Sequence, residues 1–574
     1  MRTTTSIALR AAAAGLSLAL LAPADPAYGH ETAKKKTELF SPGAGLAEGD
    51  TAGGGGRPPL YEGLGRLSMR VTTASAQAQA YFDQGLALTW GFNHAEARRS
   101  FAEAGRIDPE CAMCLWGEAF VLGPNINDAM HDDAVRPAYE VIRRALALRD
   151  RATPRERALI EALARRYAAD ATAARAKLDR DWADAMRDVA AAYPGDVDIQ
   201  VLFADALMNL QPWDYWEAGG VTPKGHGGEI VAVLERALAI DPNHPAAAHL
   251  YIHAVEASAD PGRAEAVADR LRGAMPGAGH LVHMPAHIYT RVGRYGDAMA
   301  VNRDAIAADE SFLAKAGAAA SPLYRYGYYP HNVHYLMVSA QMAGVRQDVI
   351  DTAAKLAAVI SDEVASDLAW VQAIKTAPFT AHAQFSGADE VMMLPDPGEA
   401  FPFVRGLRHY ARGVALARSG DTGAVAVEAA AIGQLIATAD FDALEAQYLP
   451  ARDVLGVARH VVEARIAQAR GDLTAAERSL SAAIALQDGL PYMEPPYWYY
   501  PVRQTLGAVL LQQGRAEEAV AAFRSALGHA PRNGWALWGL MQAQRAAGVD
   551  GGDTAAAFEA AWLGDRSLLS LDRL

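Results

Sequence analysis

The chain has 574 residues, 51% of them hydrophobic and 21% charged, which is enough apolar material for a large core and is not the composition of a disordered protein. Acidic residues outnumber basic ones, 67 to 53, for a net charge of -14, and the only basic run is Lys34-Lys35-Lys36, so nucleic acid is not an expected partner. No GxSxG, HExxH, Walker A or strand-borne GxGxxG pattern occurs, which removes serine hydrolases, zincins and nucleotide enzymes from the expected classes.

From the N-terminus, Arg2 and Arg10 flank a short polar start, and residues 11–22 form an uncharged apolar stretch followed by small residues and prolines. This is the pattern of a cleavable leader over residues 1–29, with cleavage after Ala24 or Gly29, and it implies a periplasmic or secreted mature protein. The stretch is too short to span a bilayer, and no later run reaches the roughly 18 apolar residues a spanning helix needs, so no membrane span is expected. Residues 30–59, with Gly53 to Gly56 inside, read as a Gly-rich tether, and the folded body is expected to begin near Leu60.

A 34-residue ruler fits the rest of the chain: small residues at positions 8, 20 and 27, large apolar ones at 4, 7, 11 and 24, and Pro at 32. Small residues are required where two helices cross closely, and Pro stops the second helix. Started at Ala78, the ruler finds Gly85, Ala97, Phe101, Ala104 and Pro109 in place. Started at Pro245, it finds Tyr251, Val255, Ala264 and Pro276, although Ile252, Ala268 and Leu271 have the wrong sizes for their positions. One period later, the frame from Gly279 has Ala286, Tyr289, Gly293, Ala298 and Ala305. Frames from Pro330, Gly406 and Val457 are anchored by Gly344, Gly420 and Gly471 at position 15, and the frame from Tyr500 is almost complete, with Leu506, Gly507, Leu510, Gly514, Ala519, Phe523, Ala526 and Pro531.

These positions resemble the tetratricopeptide repeat (TPR) superfamily over nearly the whole mature chain, and the segments 81–118 and 279–297 look like a group of exported bacterial TPR proteins. The resemblance implies an all-α, right-handed helical solenoid of about eight to ten helix-turn-helix repeats that binds partners, often peptides, on its concave face. Three stretches are expected: residues 60–244, where insertions blur the frame; 245–365, rich in histidine; and 366–574, running to the C-terminus.

In TPR proteins the first helix of each repeat lines the concave face, and positions 2, 5, 9 and 12 share that face at helical spacing. His249, His253 and Glu256 then fall at 5, 9 and 12 of the Pro245 frame. His280, His283 and His287 fall at 2, 5 and 9 of the next, and His331 and His334 at 2 and 5 of the frame from Pro330. Seven of the chain's 16 histidines thus land on groove positions of three neighbouring repeats, in frames fixed by Gly, Ala and Pro. Imidazoles on one helix face at i, i+3 or i, i+4 can chelate a transition-metal ion such as Cu, Zn or Fe, and Glu256 could complete the ligand set or act as a base. The expected function is an exported binding protein whose groove holds such an ion and a peptide, protein or small-molecule partner. The alternatives are a metalloenzyme using the same residues and a metal-free interaction scaffold in which the histidines grip a peptide.

Cys111 and Cys114, the only cysteines, are expected to form a local disulfide in an oxidising compartment, with redox or metal roles as alternatives. Of three aromatic groups, those around Trp213 and Tyr497 read as gap-fillers between repeats, whereas residues 324–329, which lead into His331, either line the groove or pack.

Overall fold

A computed structural model describes residues 57–574; the expected leader and nearly all of the expected tether lie outside the described residues. The described chain is a succession of α-helices joined by short turns, with no named strand and only two isolated β-bridges. Consecutive helices pack in antiparallel pairs, as the ruler requires: Ala76–Trp90 with His94–Ile107, and Val502–Gln512 with Ala516–His529. None of these helices is long and apolar enough to cross a membrane.

The small-residue positions have a direct steric cause. Phe101 fills the gap left by glycines on its own partner helix and on the next one: a Cβ on Gly85 would stand 2.7 Å from the ring, and one on Gly117 would collide with it as well. Phe523 repeats this arrangement 422 positions later between Gly507, at 2.8 Å, and Gly539. Position 8 is therefore glycine because position 24 is phenylalanine. Replacing Phe523 by alanine removes the ring both glycines accommodate, and it is expected to cost about 3–5 kcal/mol. A chemical denaturation curve whose midpoint did not move would show that the glycine-phenylalanine lock is not what holds these helices together.

The turn glycines also follow from the backbone. Gly344 ends its helix in the left-handed region at φ 80°, and Gly514 sits at φ 76° in the turn between its two helices. A side chain is disfavoured in both places. Cys111 and Cys114 are joined in a disulfide at the start of the Ala112–Val121 helix.

The interior is two large apolar clusters. One runs from Leu67 to Tyr335 and the other from Tyr295 to Leu574, and they overlap in sequence around the histidine-bearing repeats. Those repeats supply Pro245–Val255, then Gly279–His283 and Pro285–Arg291, and then Tyr329–Ala343 as their first helices. A long second helix, Tyr295–Ala316, follows the middle pair, and an insertion with a π-turn at Tyr324–Tyr328 leads into the third.

Candidate metal centre

Each histidine-bearing helix is placed by local sequence. Pro245, with no N–H to lose, starts the first, and His244 caps it by accepting from the Ala247 amide at 3.2 Å. The second helix is interrupted at Met284 because Pro285 cannot donate into the ladder, so His280 and His283 sit on one short segment and His287 on the next. Arg291 ties the first two together by donating to the carbonyls of Glu256 and Ser258, both at 2.9 Å.

Six of the seven expected histidines converge, in two groups of three. One is His249, His253 and His280; the other is His283, His287 and His331. Within each group one possible ligand atom per residue lies within 4.8 Å of the others. His249 Nε2 is 3.1 Å from His280 Nε2, and His283 Nε2 is 2.7 Å from His287 Nε2 and 3.1 Å from His331 Nε2. The two groups adjoin, with 5.2 Å between the ring centres of His253 and His287 and 6.0 Å between those of His280 and His283. His334 does not join them. Its ring packs edge-on to Tyr499, and its Nε2 has no hydrogen-bond partner among the described residues.

Hydrogen bonds on the far side of the rings fix which nitrogen carries the proton. Asn302 donates through Nδ2 to the Ala298 carbonyl, so its Oδ1 faces His283 Nδ1 at 2.6 Å and must accept from it. Glu256 accepts from Nδ1 of His253 at 2.7 Å through one oxygen and from Nδ1 of His287 at 2.6 Å through the other. It also accepts from the Tyr492 hydroxyl at 3.0 Å. Glu494 is a second acceptor for His287 Nδ1. With Nδ1 committed, the Nε2 lone pairs of His283 and His287 are directed at each other, an arrangement that only a proton or a cation between them makes favourable. His280 Nδ1, by contrast, has no partner among the described residues, so the first group is held less firmly than the second.

Glu256, expected at the ligand or base position, accepts from two of the rings on their far side, and with His253, His287 and Glu494 it also forms a third group whose possible ligand atoms lie within 4.8 Å of one another. The histidines do not line an open groove either. All but the half-buried His331 are buried, and Glu256 is fully so. The cover comes from elsewhere in the chain. Phe92 stacks on His280 with ring centres 5.2 Å apart, Tyr328 lies 5.0 Å from the same ring, and Trp213 meets His253 edge-on at 5.0 Å. Tyr335 packs on His283, His287 and His331 at 4.8 to 5.2 Å. The loop before the Val502–Gln512 helix delivers Tyr492 and Glu494, which reach residues 236 and 207 positions away. Trp213, expected as a gap-filler, is therefore part of the centre, and so is the stretch with Tyr492 and Glu494 that precedes the aromatic group 495–500. Glu494, Tyr492, Asn302 and Phe92 had no signal in the repeat frames, because a ruler of period 34 says nothing about which distant turn folds over which groove.

Burial and neighbouring imidazoles hold His249, His280 and His283 far below the ordinary histidine range, and they lower His253 and His331 to about 3. His287 is the exception: burial opposes its charge, but Glu256 and Glu494 overcome it and raise the group to about 10. Glu494, raised by burial and by the Glu256 charge, lies at about 7. Five neutral imidazoles thus surround one that carries a positive charge, so an ion bound by the second group would take the place of the proton on His287 Nε2.

No family model matches the chain, and no curated protein is similar to it. Among solved structures, the human IFIT1 dimer with m7Gppp-AAAA is 12% identical, with 92% of this chain and 98% of that one covered at a TM-score of 0.31. The human IFIT1 dimer with PPP-AAAA is 11% identical over 85% of this chain and 91% of that one, at 0.29. Naa15/Naa10 bound to HypK-THB is 13% identical over 82% and 68%, at 0.19. These scores transfer nothing about partners. The helix pairs themselves define the class: a TPR-like all-α repeat protein.

Proposed function

We propose that this chain is an exported TPR-like protein that binds transition-metal ions through its buried imidazole cluster. One observation carries the reading: the Nε2 atoms of His283 and His287 face each other at 2.7 Å while Nδ1 of each is held by Asn302 or by carboxylates. Ring nitrogens fixed from behind by carboxylate or amide oxygens are the usual support of metal-ligating histidines. Nitrogens about 2.0 Å from a shared ion stand roughly 3.3 Å apart, so each ring needs to swing outward by only a few tenths of an ångström. A peptide in the groove has less support, because the aromatic cover and the loop with Tyr492 occupy the place where it would lie.

Metal-free protein titrated with Co(II), with Zn(II) and with copper is the test. Uptake at whole-number stoichiometry is expected, with a gain in stability of about 2.7 kcal/mol at a free-metal concentration 100 times Kd, read as a raised Tm. His283→Ala should lower the affinity by at least a hundredfold. A protein that takes up none of these ions, nor Fe(II), overturns the reading. Export rests on the expected leader, and N-terminal sequencing of the mature protein checks it: a retained Met1 would count against it.

A further inference from the structure

Six histidines are more than one ion can use. Most single-ion sites take three or four protein ligands, and here the six divide into two sets of three with no residue shared. The sets interlock, since rings of one lie 5.2 and 6.0 Å from rings of the other. They are also coupled through one residue: Glu256 accepts from His253 in the first set through one oxygen and from His287 in the second through the other. Resting on the metal reading above, we propose that the cluster is a dinuclear copper centre, each ion held by three imidazoles, that binds dioxygen between the two ions.

Three observations select copper. The donors are imidazole nitrogens, that of His287 once the ion has displaced its Nε2 proton, with the carboxylates set behind them, and along the divalent series such nitrogen sites favour copper most. Three donors per ion, with no fourth side chain in either set among the described residues, suit the trigonal coordination of Cu(I) and leave one face of each ion open. Charge balance agrees. Two cuprous ions are matched by the anions of Glu256 and Glu494, whereas two divalent ions would leave two uncompensated positive charges in a site where Glu256 and five of the six rings are at most 2% exposed. His249, His253, His280, His283 and His287 all lie beneath Phe92, Trp213, Tyr328 and Tyr335, so the molecule reaching the open faces must be small and uncharged. Dioxygen is such a molecule. Each cuprous ion gives up one electron, and dioxygen takes both and becomes peroxide held between two cupric ions. No proton or other reductant enters, and return of the two electrons releases dioxygen.

The arrangement that competes is one ion among His253, His287, Glu256 and Glu494, which also lie within ligand distance of one another. It would require Glu256 to abandon both Nδ1–H groups and the Tyr492 hydroxyl. Iron or manganese in place of copper would be its signature.

The experiment loads the full-length, metal-free protein with Cu(I) under anaerobic conditions, counts bound copper by mass spectrometry of the dialysed protein, and then admits air. Two ions per chain are expected. His331→Ala, at the half-buried edge, should retain one firmly bound ion, as should the pair His249→Ala/His280→Ala, with helicity by circular dichroism showing that each variant folds. Air should produce an intense near-ultraviolet absorption with no cupric EPR signal, because the two unpaired spins couple, and the colour should fade on removing oxygen. One copper per chain, two coppers with an ordinary uncoupled cupric signal, or two that stay colourless in air each overturn the proposal. Uptake of Co(II) or Zn(II) with copper refused, or of Fe(II) or Mn(II) at one per chain, overturns the dinuclear copper centre and leaves metal binding standing. Uptake of no metal removes both. Should the histidine variants fail to fold, the stoichiometry and spectra of the unaltered protein still decide the outcome.

Discussion

Glu256→Ala is expected to weaken both halves of the histidine cluster together, by roughly 10- to 100-fold in metal affinity at each. Among the described residues this carboxylate is the only group that hydrogen-bonds a ring in both sets, through His253 on one side and His287 on the other. Its removal strands the His253 Nδ1–H, and it leaves His287 Nδ1 with Glu494 as its sole acceptor among the described residues. In the metal-free protein the loss of half of a buried, charge-assisted cluster should cost about 3–5 kcal/mol, visible as a shift in the denaturation midpoint. Glu256→Gln gives a sharper readout. A glutamine oxygen can accept from one Nδ1–H, but its amide group turns two N–H bonds toward the other, so one set should retain its affinity while the other loses it. Competition against a chelator, followed ion by ion, separates these cases. Unchanged affinity in the alanine variant would mean that the carboxylate does not orient the ligands, and loss of a single ion with the second untouched would mean that it ligates one of them.

The repeat frames made much of this legible, and their physical basis explains where legibility ends. Gly85, Gly507 and Phe523 are constrained by contacts inside one helix pair or between successive pairs, so sequence spacing records them directly. The same holds for His249, His253, His283 and His287, which are one turn apart on their helices and one period apart between repeats. His334 shares the period of His331 but not its surroundings. An insertion with a π-turn precedes its helix, and that ring meets Tyr499 instead of the cluster. Glu494 and Phe92 come from turns 207 and 157 residues distant from His287 and His249, and they are fixed by the curvature accumulated over many repeats. Small rotations per repeat add up to that curvature, and no local pattern encodes the sum. Glu256 was visible as a residue, but its side chain's place behind the rings depended on where His287 would come to rest.

Gly279→Ala should show how tightly the cluster is tied to the scaffold beneath it. Gly279 opens the short helix that carries His280 and His283, and a Cβ there would overlap the carboxylate of Asp309, 2.5 Å from its Cγ and closer still to Oδ1. Asp309 has no room to yield. It is fully buried, and its two oxygens accept from the Tyr324 hydroxyl at 2.6 Å and from Asn332 Nδ2 at 2.7 Å. Asn332 is the neighbour of His331, so one methyl group presses on two of the three helices that feed the second set of ligands. Overpacking together with the disturbed hydrogen bonds should cost about 2–4 kcal/mol and lower metal affinity without removing any ligand. Asp309→Ala alone should also destabilise, by leaving Tyr324 and Asn332 without their acceptor. The double variant Gly279→Ala/Asp309→Ala should be less damaged than the sum of the two, with a coupling of about 1–3 kcal/mol, because the second change makes room for the methyl group the first introduced. Strict additivity in denaturation, or an alanine variant with unaltered metal binding, would show that the carboxylate does not fix the position of the His280 helix.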